Sequence, residues 1–254
     1  MTIRGLADAY GAFGDKKFLD AALRCMSFIE NIMMTDGKVF RSYKNKRSTT
    51  EGFLEDYAFM IQAYTSLYQA TADELWLTKA KQMCESVVTN FYDESDGYFH
   101  YTSSEAEKLI ARKKEIYDNV IPASNSVMAL NLFVLGTMLD NDEWKELSFG
   151  MVSKLQKTIE QEPGYLSNWG ICLALMTKGV SEVAIVGPRS PEFLQKFSLQ
   201  FLPFTLIQST KEKSALPLLQ GKETINNATT VYVCFDRTCK LPVTSVEEAM
   251  NQLK

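Results

Sequence analysis

Hydrophobic and polar positions repeat three times along the first 170 residues of the chain. Each copy has a short acidic entry, an amphipathic helical pattern with apolar residues at three- and four-residue steps, and a turn that combines glycine with aromatic residues. The copies begin at Gly14, Ala72 and Asn141. Asp15, Asp73 and Asp142 are equivalent positions in their acidic entries, and Gly37, Gly97 and Gly164 are equivalent positions in their turns. Self-similarity of this kind is typical of stacked supersecondary units, and it predicts an array of helical hairpins.

Four further helical segments alternate with the amphipathic ones and are apolar around most of their circumference. They span residues 3–13, 53–70, 124–139 and 166–177. A nearly all-apolar helix that alternates with an amphipathic one indicates two layers, with inner helices covered by outer ones. This pattern predicts a mainly α fold, an α/α toroid or an arc of one. A closed toroid uses about six hairpins and this stretch supplies roughly three and a half. We therefore expect an incomplete toroid that is part of a longer protein.

The pattern changes near residue 180. SEVAIVGP, FTLIQS and TTVYVCF are β-branched runs, whereas PEFLQKFSLQ and SVEEAMNQLK favour helices. In the last segment, Ser245 and Glu248 form a capping-box pattern. We predict two domains: helical-hairpin repeats over residues 1–179 and a small C-terminal α/β appendage over residues 180–254.

Composition excludes several classes of function. The 254 residues carry a formal net charge of −4, which is no electrostatic footprint for nucleic acid. No apolar run approaches the ~20 residues that span a bilayer, and the N-terminus lacks a signal-peptide pattern, so we expect a cytoplasmic protein without membrane partners. Cys234 and Cys239 lack the second pair that a zinc site needs, so a buried role or a disulfide is favoured. We predict no metal and no cofactor.

Two polar clusters precede inner helices, where a toroid presents its cavity. Glu55, Asp56 and Tyr57 begin the second inner helix, although acidic residues also favour helix N-termini for electrostatic reasons. Asp118, Ser124 and Asn125 precede the third, where Ser124 or Asn125 as N-cap is the simpler explanation. The alternative is that these side chains hydrogen-bond a polyol ligand.

Aromatic residues flank the glycine turns, and their faces suit sugar rings. Tyr98 and Trp169 are the candidate stacking platforms, although such residues also pack one hairpin on the next. His100 is the single histidine, so acid–base chemistry would fall to carboxylates. We therefore predict Asp56, Glu55 and Asp118 as catalytic residues, and Tyr57, Ser124, Asn125, Tyr98 and Trp169 as substrate-binding residues.

Six segments in order resemble the C-terminal half of a known family. They are GLADAYGAFGDKKFLDAA, GFLEDYAFMIQAYTSLYQAT, FYDESDGYFHYT, IYDNVIPASNSVMALNL, VAIVGP and VYVCFDRTCKLPVTSVEE. This pattern is similar to the thioredoxin-domain-containing proteins related to spermatogenesis-associated protein 20. The resemblance implies an (α/α)6 toroid like that of N-acylglucosamine 2-epimerases and six-hairpin glycosidases, after a thioredoxin-like domain. It further implies that this chain is a fragment or one gene of a split pair.

The resemblance carries over to three short stretches. They place Asp56 and Tyr57 in the family's L-x-D-Y-A stretch, Ser124 and Asn125 in its P-S-x-N stretch, and Cys234 and Cys239 in its closing C-x4-C-x-x-P. The epimerases depend on cavity histidines, and this chain has none at comparable positions, which argues against epimerase activity.

Three functions follow from these patterns. The leading hypothesis is a carbohydrate-related toroid that binds or acts on a small sugar through cavity carboxylates, with its status as an enzyme left open. The alternative is a non-catalytic module that docks the missing N-terminal half, a partner or a second copy of itself. The third is a redox accessory that uses Cys234 and Cys239.

Overall fold

The computed structural model describes residues 1–106 and 111–254, and its first 178 residues are mainly helical. The helices there are α1 (Thr2–Phe13), α2 (Lys16–Ile32), α3 (Leu54–Thr71), α4 (Glu74–Phe91), α5 (Ser124–Met138), α6 (Asp142–Gln161) and α7 (Ser167–Lys178). The four apolar segments predicted from the sequence are α1, α3, α5 and α7. The predicted mainly α fold is confirmed.

The helices form two layers. α3 packs against α1 on one side and α5 on the other, and α5 also packs against α7, so these four helices make the inner layer. Each outer helix packs on the inner helix of its own hairpin: α2 on α1, α4 on α3 and α6 on α5. α3 and α5 are buried around most of their circumference, whereas α4 and α6 bury one face each. This is the expected arrangement of an incomplete α/α toroid.

The three repeats begin alike but not in the register expected from the sequence. The carboxylate of Asp15 accepts from the Lys17 amide at 3.0 Å, and that of Asp73 accepts from the Leu75 amide at 3.0 Å. In the third copy the N-cap is Asn141, whose side chain accepts from the Trp144 amide at 3.0 Å. Asp142 is therefore one position inside the helix, and its predicted equivalence with the two caps is wrong.

The turns that follow the outer helices also differ. Short antiparallel hairpins pair β1 (Met34–Thr35) with β2 (Lys38–Val39), β3 (Tyr43–Lys44) with β4 (Arg47–Ser48), and β5 (Tyr92–Asp93) with β6 (Tyr98–Phe99). Gly37 and Gly97 each have φ of 78°, a left-handed conformation that glycine adopts without strain. Gly164 lies instead in a 3-10 turn, Pro163–Tyr165. The glycine of the third copy thus serves a different turn.

The C-terminal region is a small α/β unit. Its elements are β7 (Ser181–Val186), α8 (Ser190–Ser198), β8 (Thr205–Thr210), β9 (Thr230–Phe235), β10 (Thr238–Cys239) and α9 (Val246–Gln252). The strand order is β10-β9-β7-β8, with β7 parallel to β8 and antiparallel to β9. The last inner helix, α7, ends at Lys178, and the first strand of the sheet begins at Ser181. The division into two domains stays a prediction.

The short strand β10, which the sequence did not predict, joins the two cysteines. Cys234 and Cys239 lie opposite each other on β9 and β10 and form a disulfide. The turn between them carries Arg237, which forms ion pairs with Asp140 in the α5–α6 turn and with Asp142 at the start of α6. The hairpin therefore connects the sheet to the toroid.

Two negative findings concern the described residues. Within 1–106 and 111–254, no group of three or more His, Cys, Asp or Glu side chains is placed to hold a metal ion. In the same part of the chain, no helix has the length and apolar character that crossing a bilayer would demand.

Candidate functional site

The start of α3 contains both predicted carboxylates, and they have different tasks. Asp56 turns back on its own helix: its Oδ2 accepts from the Phe53 amide at 2.9 Å. Burial raises the pKa of Asp56, while the Phe53 amide and Arg41 oppose that rise. Asp56 therefore satisfies one of the free amides at the helix N-terminus, which is a structural role.

Glu55 is the buried carboxylate of this region. Its residue is only 8% exposed. Its Oε1 receives the Tyr101 hydroxyl at 2.9 Å and forms an ion pair with the Arg41 guanidinium. Among the described residues its second oxygen, Oε2, makes no hydrogen bond. One carboxylate oxygen is thus fixed by the protein, and the other remains open to a donor.

Two aromatic rings lie beside this carboxylate. The rings of Phe53 and Tyr101 stack with centroids 4.7 Å apart. Arg41 lies over the Phe53 ring at 5.2 Å, and the Lys113 ammonium lies over the Tyr101 ring at 4.4 Å. Burial, followed by the hydrogen bond to Glu55, raises the pKa of Tyr101 to about 12. Tyr101 therefore stays protonated and donates its hydrogen to Glu55 at neutral pH.

A second carboxylate, Glu115, approaches from the segment before α5. Its Oε2 accepts from the Ser124 hydroxyl at 3.2 Å, and its Oε1 lies 3.7 Å from the Lys113 ammonium. The backbone amide of Tyr101 donates to the Lys113 carbonyl at 2.8 Å, which holds the two segments together. We name the whole set the arginine–glutamate cluster: Arg41, Phe53, Glu55, Tyr101, Lys113, Glu115 and Ser124.

Asp118, the third predicted catalytic carboxylate, is used by the fold. Its Oδ1 accepts from the Ala123 amide and the Ser126 hydroxyl, each at 2.8 Å. Its Oδ2 accepts from the Asn168 amide at 2.8 Å, which ties the start of α5 to the start of α7. The N-cap of α5 is Ala123, so the expected capping by Ser124 or Asn125 is wrong.

Two predicted ligand-binding residues hold the neighbouring hairpins instead. Asn125 accepts from the Phe99 amide at 2.7 Å and donates to the Phe99 carbonyl at 2.9 Å, as a strand neighbour would. The Tyr57 hydroxyl accepts from the Val39 amide at 3.1 Å. Both side chains therefore fasten a β-hairpin to the start of an inner helix.

The predicted stacking residues have little free surface. Trp169 is fully buried and donates its indole N–H to the Ile116 carbonyl at 2.7 Å. Tyr98 is partly buried, contacts Trp169 edge-on at 6.2 Å, and donates to the Met151 carbonyl at 3.1 Å. The partly exposed aromatic pair near the carboxylates is Phe53 and Tyr101.

A polar cleft of about 560 Å³ lies beside α3, between the outer helices α2 and α4. Glu30 accepts there from the Tyr64 hydroxyl at 2.9 Å and from the Lys79 ammonium at 2.6 Å. Tyr57 also lines this cleft. It is a second place where polar side chains and aromatic rings meet.

Arg41, Lys113 and Glu115 were not predicted as site residues from the sequence. Arg41 follows the first glycine turn, and Glu115 lies three residues before Asp118 in a segment without periodicity. Only the folded chain brings these segments to Glu55. The proximity of these residues therefore depends on tertiary structure, which the local sequence pattern does not show.

Comparison with known proteins gives relatives along nearly the whole chain. No family model matches it. An uncharacterised protein of Caenorhabditis elegans is 27% identical over 98% of this chain, and human spermatogenesis-associated protein 20 is 24% identical over 96% of it. These alignments cover 36% and 34% of the two relatives, so the chain spans about a third of their length. The resemblance to the spermatogenesis-associated protein 20 family is confirmed.

Solved structures show the same architecture. Cellobiose 2-epimerase from Bacillus thermoamylovorans superposes with a TM-score of 0.50 at 14% identity, over 60% of this chain and 41% of that enzyme. A GH76 alpha-mannanase from Bacteroides thetaiotaomicron gives a TM-score of 0.48 at 18% identity, over 61% of this chain and 39% of the mannanase. The superposition on the epimerase, over 60% of this chain, shows an α/α-toroid fold.

Proposed function

We propose that this chain binds a carbohydrate at the arginine–glutamate cluster. The observation that carries the proposal is Glu55, a buried carboxylate with one oxygen held by Arg41 and Tyr101 and the other without a partner among the described residues. A sugar hydroxyl is a donor that such an oxygen can accept. A hydrogen bond to a charged acceptor such as this carboxylate is stronger than one between two neutral groups.

The surroundings of Glu55 suit a sugar ring. Phe53 and Tyr101 stack on each other beside the carboxylate, with Arg41 and Lys113 over the two rings, so a sugar would pack against the edges of these aromatic rings. Glu115 and Lys113 add an acceptor and a donor at a second side. Few, well-placed polar groups beside aromatic side chains are typical of small-molecule sites.

The same geometry narrows the catalytic candidates. Asp56 and Asp118 are engaged by backbone amides, so protonation of either would break contacts of the fold. Glu55 is the predicted carboxylate that we retain, and Glu115 is the second one near Tyr101. Glycoside-hydrolysing sites use such a pair, one as acid and one as base or nucleophile.

Isothermal titration calorimetry with a sugar panel that includes cellobiose and mannose tests the proposal. Glu55→Gln keeps the shape but removes the charge, and we expect it to weaken binding by about tenfold or more. Glu143→Gln, an exposed glutamate in the first turn of the outer helix α6, is the matched control and should leave binding unchanged. Circular dichroism must show that both variants fold.

Binding that is equal in the two variants would contradict the role of Glu55. Failure of the unaltered chain to bind any sugar in the panel, at concentrations up to tens of millimolar, would contradict the proposal as a whole.

A second candidate function rests on the first hairpin. Phe13 is 74% exposed, Phe28 is 44% exposed and Ile32 is 45% exposed, and all three lie on α1 or α2. Inner helix α1 buries only Ile3 and Ala7, far less than α3 or α5. We propose that a further helical hairpin covers this face, supplied by another toroid segment or by a second copy of the chain.

Sedimentation velocity over a range of concentrations tests the docking candidate for a second copy. We expect concentration-dependent association that Phe28→Ser reduces and that Phe149→Ser, on the outer helix α6, leaves unchanged. Monomeric behaviour at all concentrations would contradict self-association through this face.

A further inference from the structure

A cavity of about 1090 Å³ lies where the C-terminal sheet meets the toroid. Its walls come from the α5–α6 turn, the end of α7, strand β7 and the segments before β8 and β9. None of the residues of the arginine–glutamate cluster lines it. Its size is that of a site for a small molecule, and it is separate from the proposed sugar site.

Four of the charged groups that line this cavity form ion pairs with one another. Arg237 forms ion pairs with Asp140 and with Asp142, the latter at 2.9 Å. Lys145 pairs with Asp142 at 2.5 Å. The two aspartates and Arg237 are exposed, so these pairs form the rim of the cavity.

Two further charged groups differ from these four because they are partly buried and have no ion pair within the described residues. Glu182 on β7 and Lys222 before β9 are both partly buried, and both line the cavity. Within residues 1–106 and 111–254, neither forms an ion pair with a protein group. Burial raises the pKa of Glu182, and Asp140 raises it further, while Lys145, Lys222 and Arg237 oppose that rise. Burial lowers the pKa of Lys222, and Glu182 opposes that fall. A counter-ion in direct contact would therefore stabilise the charged form of each side chain.

The remaining walls are aromatic and apolar. Phe133 and Phe149 meet edge-on with ring centroids 6.2 Å apart. Phe204 also lines the cavity, and the Lys178 ammonium lies 4.8 Å from the centroid of its ring. Such a wall gains free energy from burying an apolar or aromatic group of a ligand.

We propose that this cavity binds a small zwitterion, an α-amino acid with an aromatic side chain. Its ammonium would pair with Glu182, its carboxylate with Lys222, and its side chain would pack against Phe133 and Phe149. A ligand with both charges supplies both missing counter-ions, whereas a cation or an anion supplies one and leaves the other charge buried without a partner.

Three matched probes separate these cases: L-phenylalanine, 2-phenylethylamine and 3-phenylpropionate, titrated into the full chain by calorimetry. We expect L-phenylalanine to bind at least about tenfold more tightly than either single-charge analogue, because each lacks one charge-assisted contact. Equal or tighter binding of either analogue would overturn the proposal, and so would no binding of L-phenylalanine at ten millimolar.

Variants locate the site. Glu182→Gln and Lys222→Met should each weaken L-phenylalanine binding by about tenfold or more. Glu143→Gln, at an exposed position of the same helix α6 that does not line the cavity, is the control and should bind as the unaltered chain does. If Glu182→Gln does not fold, Lys222→Met decides by itself. Retained affinity in a folded Lys222→Met would overturn the assignment.

Discussion

At the scale of single residues, the carboxylates at the inner-helix starts are of two kinds. Some have both oxygens hydrogen-bonded by the fold, and others have one oxygen without a partner within the described residues. Asp118 accepts three hydrogen bonds, from Ala123, Ser126 and Asn168. Within the described residues, Glu55 accepts hydrogen bonds at one oxygen, Oε1. The sequence identified both as acidic residues before an apolar helix, and nothing in that pattern distinguishes them. Their difference arises from segments that are distant along the chain.

Asp118→Ala tests the structural role of Asp118. Removing the carboxylate leaves buried donors at Ala123, Ser126 and Asn168 without their acceptor, so we expect the free energy of unfolding to fall by about 3 kcal/mol or more. Urea denaturation followed by circular dichroism measures it. Asp20→Ala, at an exposed position of α2, is the control and should change stability by less than about 0.5 kcal/mol. A loss below about 1 kcal/mol for Asp118→Ala would show that the fold does not depend on it.

At the scale of elements, the pattern of apolar residues was sufficient to predict the helices that are buried on most sides. The apolar runs of α3 and α5 predicted inner helices because few of their positions face solvent. The third repeat was misaligned because Asn141 and Asp142 are adjacent and either could cap a helix. Its glycine turn was misread because Pro163 favours a 3-10 turn where the earlier copies have hairpins. The alternative caps and turns have similar free energies, and tertiary contacts that the sequence pattern does not show decide between them.

The caps of the outer helices provide a matched set of variants. We expect Asp73→Ala and Asn141→Ala each to lower the free energy of unfolding by about 1 kcal/mol, because each removes an acceptor from a helix N-terminus. Asp142→Ala removes the ion pairs of an exposed carboxylate, so it should cost less than either cap variant. Chemical denaturation of the three variants compares them. A larger loss for Asp142→Ala than for Asn141→Ala would restore the register expected from the sequence.

At the scale of the whole molecule, buried tyrosines link the hairpins to one another. Tyr64 and Tyr68 lie in the core of α3, and burial raises the pKa of both hydroxyls above the usual range. Burial also raises the pKa of Tyr98 to about 12, and its hydroxyl reaches the outer helix α6. The sequence predicted that aromatic residues beside the turns pack hairpins together, but not which hydroxyls would be enclosed.

These tyrosines make stability depend on alkaline pH. Their folded-state pKa values exceed the unfolded value of about 10, so the stabilisation is complete below pH about 10 and is lost as pH rises towards 12. We expect the free energy of unfolding to begin to fall above pH about 8.5, because the buried thiols of Cys84 and Cys172 ionise only when the chain unfolds, and to fall more steeply above pH 10, where the tyrosines add to the loss. Tyr98→Phe should lessen that fall, whereas Tyr117→Phe, at an exposed position, should not. A level profile up to pH 12 would contradict the burial of these hydroxyls.

A crystal structure of the chain with cellobiose tests the proposal that the arginine–glutamate cluster binds a sugar. We predict a sugar hydroxyl within hydrogen-bonding distance of Glu55 Oε2, with the ring packed beside Phe53 and Tyr101. A sugar bound only in the cleft of Glu30, Tyr64 and Lys79 would contradict the claim. So would crystals that hold no sugar at the cluster at a concentration far above the dissociation constant measured in solution.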